Sequence, residues 1–334
     1  MPISVFVSGA TGYIAQQTIS LLLSKGYNVV GSVRSVAKGE NLKELYGSKF
    51  QYEVVPVLEK QGAFDEALQK HPEVTVFLHT ASPVTFTVED NERDIMIPAI
   101  NGTKFALESI AKVSPQISRV VYTSSLAAMA TFDEVRDPNY DGGEDSYSPI
   151  SYEQGKLDTV SAYVASKTLA EQAGWDFVKT HKPKFTLSVV HPAYVFGPQA
   201  KDEEASGTLN YTSEIVSSVF RLSKDDMVPH EAGHFADVRD VAKAHVLAFE
   251  KDEAKNKRIL VNTENFSSQL ILNIIRKHFP ELKERLPVGN PEMLGLSHLA
   301  HLKERKSREL LGFEHISLEE SVVDSIKQLI RVSH

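Results

Sequence analysis

The 334-residue sequence predicts an α/β fold with a doubly wound parallel sheet and a smaller C-terminal domain. Short runs rich in β-branched residues alternate with helical stretches in the first half of the chain, which is the pattern of βαβ units. Some of these runs are apolar on both faces, as in residues 74–78 (Val-Thr-Val-Phe-Leu), so helices must cover both sides of the sheet. A glycine-containing loop also follows the first strand directly, as the turns of such folds require.

The individual strands and helices follow from the spacing of apolar residues. A helix begins near Gly12 and ends at Lys25, because Gly26 is typical of the residue that follows a helix end. We also expect helices over 237–250, where apolar residues recur at helical spacing, and over 318–332. The predicted strands are 3–8, 29–33, 53–57, 74–79, 119–123, 186–190 and 259–261.

Charge and composition exclude several classes of protein. Asp and Glu outnumber Lys and Arg by 44 to 36, and a chain with a net charge of −8 repels nucleic acid and anionic membranes. The absence of cysteine excludes disulfides, a thiol nucleophile and thiolate metal sites. No apolar stretch approaches the roughly 18 residues that span a bilayer, and we expect no metal site among the histidines. We therefore expect a cytoplasmic protein that binds no metal, nucleic acid or membrane.

The loop between the first strand and the first helix has the spacing of a dinucleotide fingerprint. Gly9 permits the tight turn, Gly12 lets the backbone approach a pyrophosphate, and Ala15 lets the helix pack closely on the strand. Backbone N–H groups at the start of the helix would then face the phosphates, with the helix dipole behind them. The loop residues that we expect to bind the cofactor are Gly9, Thr11, Gly12, Tyr13 and Ile14.

The end of the second strand indicates which dinucleotide binds. NAD enzymes usually carry an acidic residue here for the ribose 2′-hydroxyl, whereas arginine accommodates the 2′-phosphate of NADP. Residues 30–34 (Val-Gly-Ser-Val-Arg) contain no carboxylate. Arg34 can bind a phosphate through two hydrogen bonds, and Lys38, one helical turn later, adds a second positive charge. The sequence therefore favours NADPH/NADP; the alternative is that both cations are ordinary solvated surface groups.

Two tyrosines are followed four residues later by a lysine, a spacing that places both side chains on one helix face. Tyr152 and Lys156 flank Gly155 in a segment that follows a proline, and both features disfavour a helix. Tyr163 and Lys167 lie among helix formers, without glycine or proline. We therefore expect the second pair to act together.

The Tyr163–Lys167 pair suits proton transfer to a carbonyl oxygen. A phenol has a pKa near 10, and a nearby ammonium would lower that pKa toward the working range. Tyr163 could then donate its proton to a carbonyl oxygen as a hydride reaches the carbon, and Lys167 could hold the nicotinamide ribose. We expect Ser125, at the carboxyl end of the fifth strand, to position the oxygen, with Ser124 as the alternative.

Several segments together resemble the extended short-chain dehydrogenases/reductases. The shared motifs are Gly9-x-x-Gly12-x-x-Ala15, Thr123-Ser124-Ser125 and Tyr163-x-x-x-Lys167. The segments that are similar to the dihydroflavonol-reductase-like branch are 78–83, 97–103, 192–198 and 235–242. The segments 5–10 and 53–56 resemble the NADPH-dependent methylglyoxal/3-methylbutanal reductases of yeast. The resemblance implies a carbonyl reductase that converts aldehydes, α-dicarbonyls and ketones to alcohols with a triad of Ser125, Tyr163 and Lys167.

The resemblance also implies positions for the cofactor and the substrate. Further cofactor contacts would come from the carboxyl ends of strands: Thr80, Ala81, Ser82, Thr123, Ser124, Pro192 and Val195. Many relatives have an acidic residue after the third strand that binds the adenine, whereas this chain has Leu58, which could pack on the ring instead. The implied substrate pocket contains Val84, Leu126, Phe132 and Tyr194.

The chain divides into two predicted domains. The NADP-binding Rossmann-type domain would contain residues 1–190 with about 233–262 and 314–334. The smaller substrate-binding domain would contain about 191–232 and 263–313, and a small-molecule carbonyl substrate would bind between the two. The sequence leaves open whether the protein is a monomer or a homodimer.

Two other functions use similar sequence features. Nucleotide-sugar epimerases and dehydratases share the extended scaffold, but they normally retain NAD and need cations for a sugar-nucleotide pyrophosphate. Arg34 argues against the first property, and residues 263–313 contain no clear basic cluster for the second. A non-catalytic NADP-sensing regulator would tend to lose the tyrosine or the lysine, and this chain has both. The sequence therefore favours an NADPH-dependent carbonyl reductase.

Overall fold

A seven-stranded parallel sheet forms the centre of the molecule in this computed structural model, which describes residues 3–82 and 87–333. The strands are β1 (Ser4–Ser8), β2 (Asn28–Val33), β3 (Phe50–Val54), β4 (Val74–His79), β5 (Arg119–Thr123), β6 (Thr186–Pro192), β7 (Tyr194–Phe196), β8 (Ala232–Asp237), β9 (Arg258–Val261) and β10 (Glu264–Ser267). The order across the central sheet is β3-β2-β1-β4-β5-β6-β9, so the strand order reverses between β1 and β4. Ligands of doubly wound sheets bind at such a switch point, outside the carboxyl ends of the strands.

Helices cover both faces of the central sheet. The α-helices are α1 (Tyr13–Ser24), α2 (Val36–Tyr46), α3 (Asp65–Lys70), α4 (Ile97–Val113), α5 (Phe132–Val135), α6 (Tyr152–Gly155), α7 (Thr159–His181), α8 (Asp202–Ala205), α9 (Tyr211–Arg221), α10 (Val238–Glu250), α11 (Ser268–His278), α12 (Arg305–Leu311) and α13 (Leu318–Val332). Shorter helical turns cover Glu92–Met96, Leu126–Ala128, Asp252–Ala254 and Pro280–Leu282. In the described ranges, no helix has both the length and the apolar character that crossing a membrane requires.

The two faces of the sheet bury alternate residues of the same strands. Helices α1, α2 and α10 pack on the face that contains Val5 and Val121. Helices α3, α4 and α7 pack on the face that contains Phe6 and Phe77, whose stacked rings have centroids 5.0 Å apart. Successive side chains of a strand point to opposite sides. The apolar runs of the sequence therefore become two cores on either side of one sheet.

A second core surrounds a three-stranded sheet, and it is called here the core of the smaller domain. Its sheet is formed by β7, which pairs parallel with β8, and by β10, which pairs antiparallel with β8. Phe196 and Phe266 lie at the centre of this core and make an edge contact, with ring centroids 4.6 Å apart. Helices α9, α11 and α13 cover the sheet with buried residues such as Val216, Ile275 and Val322.

The third strand lies earlier in the chain than the sequence predicts. It covers Phe50–Val54 instead of 53–57. Phe50 is fully buried and pairs with Val29 of β2, whereas Val57 is 46% exposed. The apolar residues at 55 and 57 suggest a strand, but tertiary burial of Phe50 decides where the strand begins.

Two C-terminal helices pack on the domain opposite to the one that the sequence predicts for them. Helix α13 belongs to the predicted segment 314–334 of the larger domain, yet its stripe of Leu318, Val322 and Ile326 is buried in the core of the smaller domain. Helix α12 belongs to the predicted segment 263–313, yet Leu311 is buried in the core of the larger domain. Each helix has an apolar stripe that either domain could bury, so the sequence pattern alone does not assign it.

Candidate functional site

The carboxyl ends of the central strands open into a cleft of about 1120 Å³ that extends from the glycine loop to the smaller domain. Every predicted site residue in the described part of the chain lines this cleft, whereas Val84 lies outside the described residues. Those predicted for the cofactor are Gly9, Thr11, Gly12, Tyr13, Ile14, Arg34, Lys38, Leu58, Thr80, Ala81, Ser82, Thr123, Ser124, Tyr163, Lys167, Pro192 and Val195. Those predicted for oxygen positioning or the substrate are Ser125, Leu126, Phe132 and Tyr194.

The glycine loop is a tight turn between β1 and α1. Gly9 has a φ of +66°, and the Gly12 amide donates to the Gly9 carbonyl at 2.9 Å. A Cβ on Gly9 would lie 3.0 Å from the Cα of Ala81, so both the conformation and the close approach of β4 favour glycine. Helix α1 begins directly after Gly12 without a side-chain cap, which leaves backbone N–H groups of its first turn for an anion.

A buried serine joins the glycine loop to the neighbouring strand end. The Oγ of Ser8 lies 2.9 Å from Nδ1 of His79 and accepts a hydrogen bond from the Ala81 amide at 3.0 Å. The Thr80 hydroxyl donates to the Ser8 carbonyl. These bonds fix residues 80–82 against the end of β1 and therefore shape the wall of the cleft beside Gly9.

The end of β2 presents two cations to the cleft. Arg34 and Lys38 are exposed, line the cleft and form no ion pair with any described residue. Glu53, which lies opposite Ser32 on the neighbouring strand, forms ion pairs with Lys70 and His71 instead. Ser32 supports the loop from the same strand, since its Oγ accepts a hydrogen bond from the Gly9 amide at 3.0 Å. This end of the cleft is therefore a positively charged rim next to free backbone donors, which fits a phosphorylated ribose.

The three predicted catalytic side chains lie together at the centre of the cleft. The Tyr163 hydroxyl donates to the Oγ of Ser125 at 3.3 Å. The ammonium of Lys167 donates to the Oγ of Ser82 at 3.0 Å and lies 5.7 Å from the centroid of the Tyr163 ring. Both residues project from α7, which begins with Asp158 as an N-cap that accepts from the Ser161 amide at 2.9 Å.

Burial controls the protonation of this group. Burial raises the pKa of Tyr163, and the hydrogen bond with Ser125 only partly opposes this rise. Burial lowers the pKa of Lys167 to about 8. The predicted lowering of the Tyr163 pKa by the lysine is therefore wrong for this structure, because the Lys167 ammonium bonds to Ser82 and desolvation has the larger effect on the phenol.

The other tyrosine–lysine pair lies outside the cleft. The Tyr152 hydroxyl donates to Oε1 of Glu92 at 2.6 Å, and the Lys156 ammonium forms an ion pair with Glu153 at 3.0 Å. Residues Tyr152–Gly155 form only one helical turn, which ends where Gly155 packs on Ala165. The Tyr152–Lys156 pair therefore contributes to packing at the surface, and it provides a control for the Tyr163–Lys167 pair.

The substrate end of the cleft contains residues that the sequence analysis missed. Leu126 follows Ser125 directly in a helical turn, and the rings of Phe132 and Tyr194 make an edge contact with centroids 6.4 Å apart. The missed residues that share this wall include Arg136, Asn210, Tyr211 and His234. They lie on a loop, a helix and a strand of different segments, so no local motif could have found them.

A second missed feature is a buried carboxylate, Glu171, one helical turn after Lys167 on α7. Its spacing of four residues from Lys167 is the one sequence signal that could have identified it. In the described part of the chain, no group of three or more His, Asp or Glu side chains is arranged to hold a metal ion.

Comparisons with known proteins agree with this fold. The family model described as the NAD dependent epimerase/dehydratase family matches residues 5–262. The NADPH-dependent methylglyoxal reductase GRE2 of Saccharomyces cerevisiae is 44% identical over 98% of both chains. Gre2 from Candida albicans in complex with NADPH is 44% identical, with a TM-score of 0.96 over 100% of both chains. A reductase engineered to attenuate substrate inhibition in asymmetric catalysis is 60% identical, with a TM-score of 0.97 over 99% of this chain and 100% of that one.

Alanine at Gly9 should destabilise the protein more than alanine at Gly26. Both glycines have positive φ, +66° and +88°, so each substitution should cost about 1 kcal/mol of backbone strain. Only Gly9 has a close neighbour, since nothing lies within 4 Å of a Cβ at Gly26. We expect the free energy of unfolding in urea to fall by about 1 kcal/mol for Gly26→Ala and by at least about 2 kcal/mol for Gly9→Ala. Equal losses would contradict the steric role of Ala81.

Proposed function

Since the chain belongs to the NAD dependent epimerase/dehydratase family, we propose that it is an NADPH-dependent carbonyl reductase of that family. Its substrates would be aldehydes, α-dicarbonyls and ketones, and its products the corresponding alcohols. One observation carries the proposal: a tyrosine and a serine whose hydroxyl oxygens are 3.3 Å apart lie in the same cleft as a glycine loop and a cationic rim. The Saccharomyces cerevisiae and Candida albicans relatives support the choice of NADPH and of carbonyl substrates.

The residues of the cleft fit NADPH at three places. The first-turn amides of α1 and the glycine loop suit the pyrophosphate, because both Gly9 and Gly12 leave the backbone accessible. Arg34 and Lys38 would hold the 2′-phosphate. Lys167, which already bonds to Ser82, has the position to hold the ribose next to the nicotinamide. When bound, NADPH supplies a hydride to the carbonyl carbon.

The chain's own residues would supply the proton and hold the oxygen. The Tyr163 hydroxyl already donates to Ser125, so a carbonyl oxygen that replaces the Ser125 contact would receive this hydrogen bond. Ser125 would donate a second hydrogen bond and fix the oxygen against its own backbone turn, where its Oγ accepts from the Ala127 amide at 3.2 Å. Because burial raises the pKa of Tyr163, the phenol is fully protonated at neutral pH and ready to donate.

The cellular location and the oligomeric state are part of the same proposal. A reductase of small carbonyl compounds that depends on NADPH fits a cytoplasmic location, where this cofactor is regenerated. A monomer or a homodimer would each leave the cleft complete, because the residues named above all come from one chain. Size-exclusion chromatography with light scattering would decide between the two.

Replacement of the tyrosine tests the reaction directly. We expect Tyr163→Phe to lower kcat/KM by at least about 100-fold, because it removes the proton donor, while NADPH binding stays close to that of the wild type. The assay is NADPH oxidation with an aldehyde, an α-dicarbonyl and a ketone. The matched control is Tyr152→Phe, whose hydroxyl binds Glu92 outside the cleft, and it should keep wild-type rates. Equal rates in the wild type and Tyr163→Phe would refute the proposed chemistry.

A substitution at the rim tests the choice of cofactor. Arg34→Gln should raise the Kd of NADPH by at least about tenfold, since it removes a charge-assisted hydrogen bond, and it should leave the Kd of NADH unchanged. Binding is measured by the fluorescence of the reduced nicotinamide. Arg305→Gln is a matched control, because Arg305 is exposed and pairs with Glu309 away from the cleft. A parallel loss of NADPH and NADH binding in Arg34→Gln would exclude a specific 2′-phosphate contact.

The pKa of the buried Lys167 predicts the pH above which activity falls. Since the pKa of Lys167 is about 8, its ammonium is present below pH 8 and is lost above it. We expect kcat/KM to fall as the pH rises through about 8. The same titration stabilises the fold at high pH, because the unfolded chain, with a lysine pKa of roughly 10.4, binds more protons between these values. Thermal unfolding at each pH separates the two effects, and a kcat/KM that stays flat up to pH 10 would contradict the role of the ammonium.

A further inference from the structure

Behind the cleft lies a buried polar cluster that the proposed reaction does not use. Its centre is Glu171, whose side chain is 1% exposed. The Ser124 hydroxyl donates to Oε2 of Glu171 at 2.9 Å, and Nε2 of His191 lies 2.6 Å from the same oxygen. The other oxygen accepts from Nε of Arg258 at 2.6 Å and from the indole N–H of Trp175 at 3.1 Å. One carboxylate thus joins the carboxyl ends of β5 and β6 and the start of β9 to α7.

The charge of this carboxylate is compensated inside the protein. Burial disfavours the ionised form of Glu171, but His191 and Arg258 hold its pKa at about 2. The side chain is therefore a carboxylate at every pH at which the protein would work. A buried charge with all its partners in place holds those partners in one arrangement, because the loss of any of them leaves an unpaired charge.

Arg258 connects the cluster to residues 144–147, which follow the predicted pocket residues Leu126 and Phe132 in the chain. Its guanidinium donates to the carbonyl of Glu144 at 3.2 Å and lies 3.9 Å from the centroid of the Tyr147 ring. The Glu144 carboxylate in turn accepts from the Ser307 amide at 2.7 Å, at the start of α12. Residues 144–147 are thereby attached to the same cluster as Ser124.

The position of Glu171 relates two of the catalytic elements. It follows Lys167 by one helical turn on α7, the helix that also carries Tyr163. Its partner Ser124 precedes Ser125 directly, and the Ser124 amide donates to the Val190 carbonyl at 2.9 Å. The strand end that bears Ser125 is thus bonded on one side to β6 and on the other to the helix that bears the tyrosine.

We propose that Glu171 is a positioning residue of the reductase: through Ser124 it sets the distance between the Ser125 hydroxyl and the Tyr163 hydroxyl. The proposal rests on the proposed function for its kinetic consequence. Loss of the carboxylate would let the 124–128 turn move relative to α7. The substrate's carbonyl oxygen could then form a well-aligned hydrogen bond with only one of the Ser125 and Tyr163 hydroxyls. A displacement of about 1 Å in such a group can lower a rate by about 100-fold.

The test compares Glu171→Gln and Ser124→Ala with a matched control. Ser188→Ala removes a hydroxyl that is equally buried and that donates to the Ala254 carbonyl at 2.7 Å, far from Tyr163. We expect kcat to fall at least about tenfold in both test variants and to stay unchanged in the control. The KM of the carbonyl substrate should change little, since the pocket residues remain. If Glu171→Gln does not fold, Ser124→Ala decides through hydrogen exchange at 124–128 together with kcat, because Ser124 also lines the cleft.

Hydrogen exchange provides a readout that does not depend on activity. Amides of residues 124–128 should exchange faster in both test variants than in the wild type, and Ser188→Ala should leave them unchanged. A wild-type kcat in the two variants would overturn the proposal, as would a raised KM with unchanged kcat, which indicates a role in binding. If the wild type reduces no carbonyl compound, the proposed function fails, and unchanged exchange at 124–128 would then separately overturn the positioning role.

Discussion

The candidate site depends on the parallel hydrogen bonding of β1, β4, β5 and β6. In this register Val7 lies opposite Leu78, Leu78 opposite Val121, and Val121 opposite Ser188. All four strands therefore end at the same edge of the sheet, although long stretches of chain separate them. The glycine loop, the 80–82 turn, the serine pair and Pro192 meet only because each follows one of these ends. A shift of one strand by a single residue would turn its buried side chains to the opposite face of the sheet.

Several polar groups are buried at the same edge and are held there by specific partners. Ser8 bonds to His79 and to the Ala81 amide, and Thr123 lies 2.6 Å from Nε2 of His245 on α10. An unpaired polar group at such a place would cost as much as a lost hydrogen bond or more. These pairs connect the strand ends to the helices on both faces of the sheet. The wall of the cleft therefore has a fixed arrangement of hydrogen-bond donors, which a site for proton transfer requires.

Local patterns predicted most of the site, and long-range packing accounts for what they missed. The glycine loop and the Tyr163–Lys167 pair are short motifs whose geometry depends on one turn or one helix, so their spacing and their neighbouring residues predicted a place in the cleft. The start of β3 depends on the burial of Phe50, and the placement of α13 on a contact with α11; neither is encoded within a few residues. Sequence reasoning likewise recognised the lysine as a neighbour of the phenol but not the burial that reverses the pKa shift.

The rim and the centre of the cleft place ionisable side chains in different environments. At the rim, Arg34 and Lys38 are exposed, so they keep their charge at little cost and can attract an anion from solution. At the centre, Lys167 is buried and Tyr163 is half-buried, and desolvation disfavours charge on both. Hydrogen bonds to an oxygen that gains negative charge are strongest where water is excluded and the local dielectric is low. On the proposed function, the exposed rim would bind the charged cofactor and the more buried centre would carry out the proton transfer.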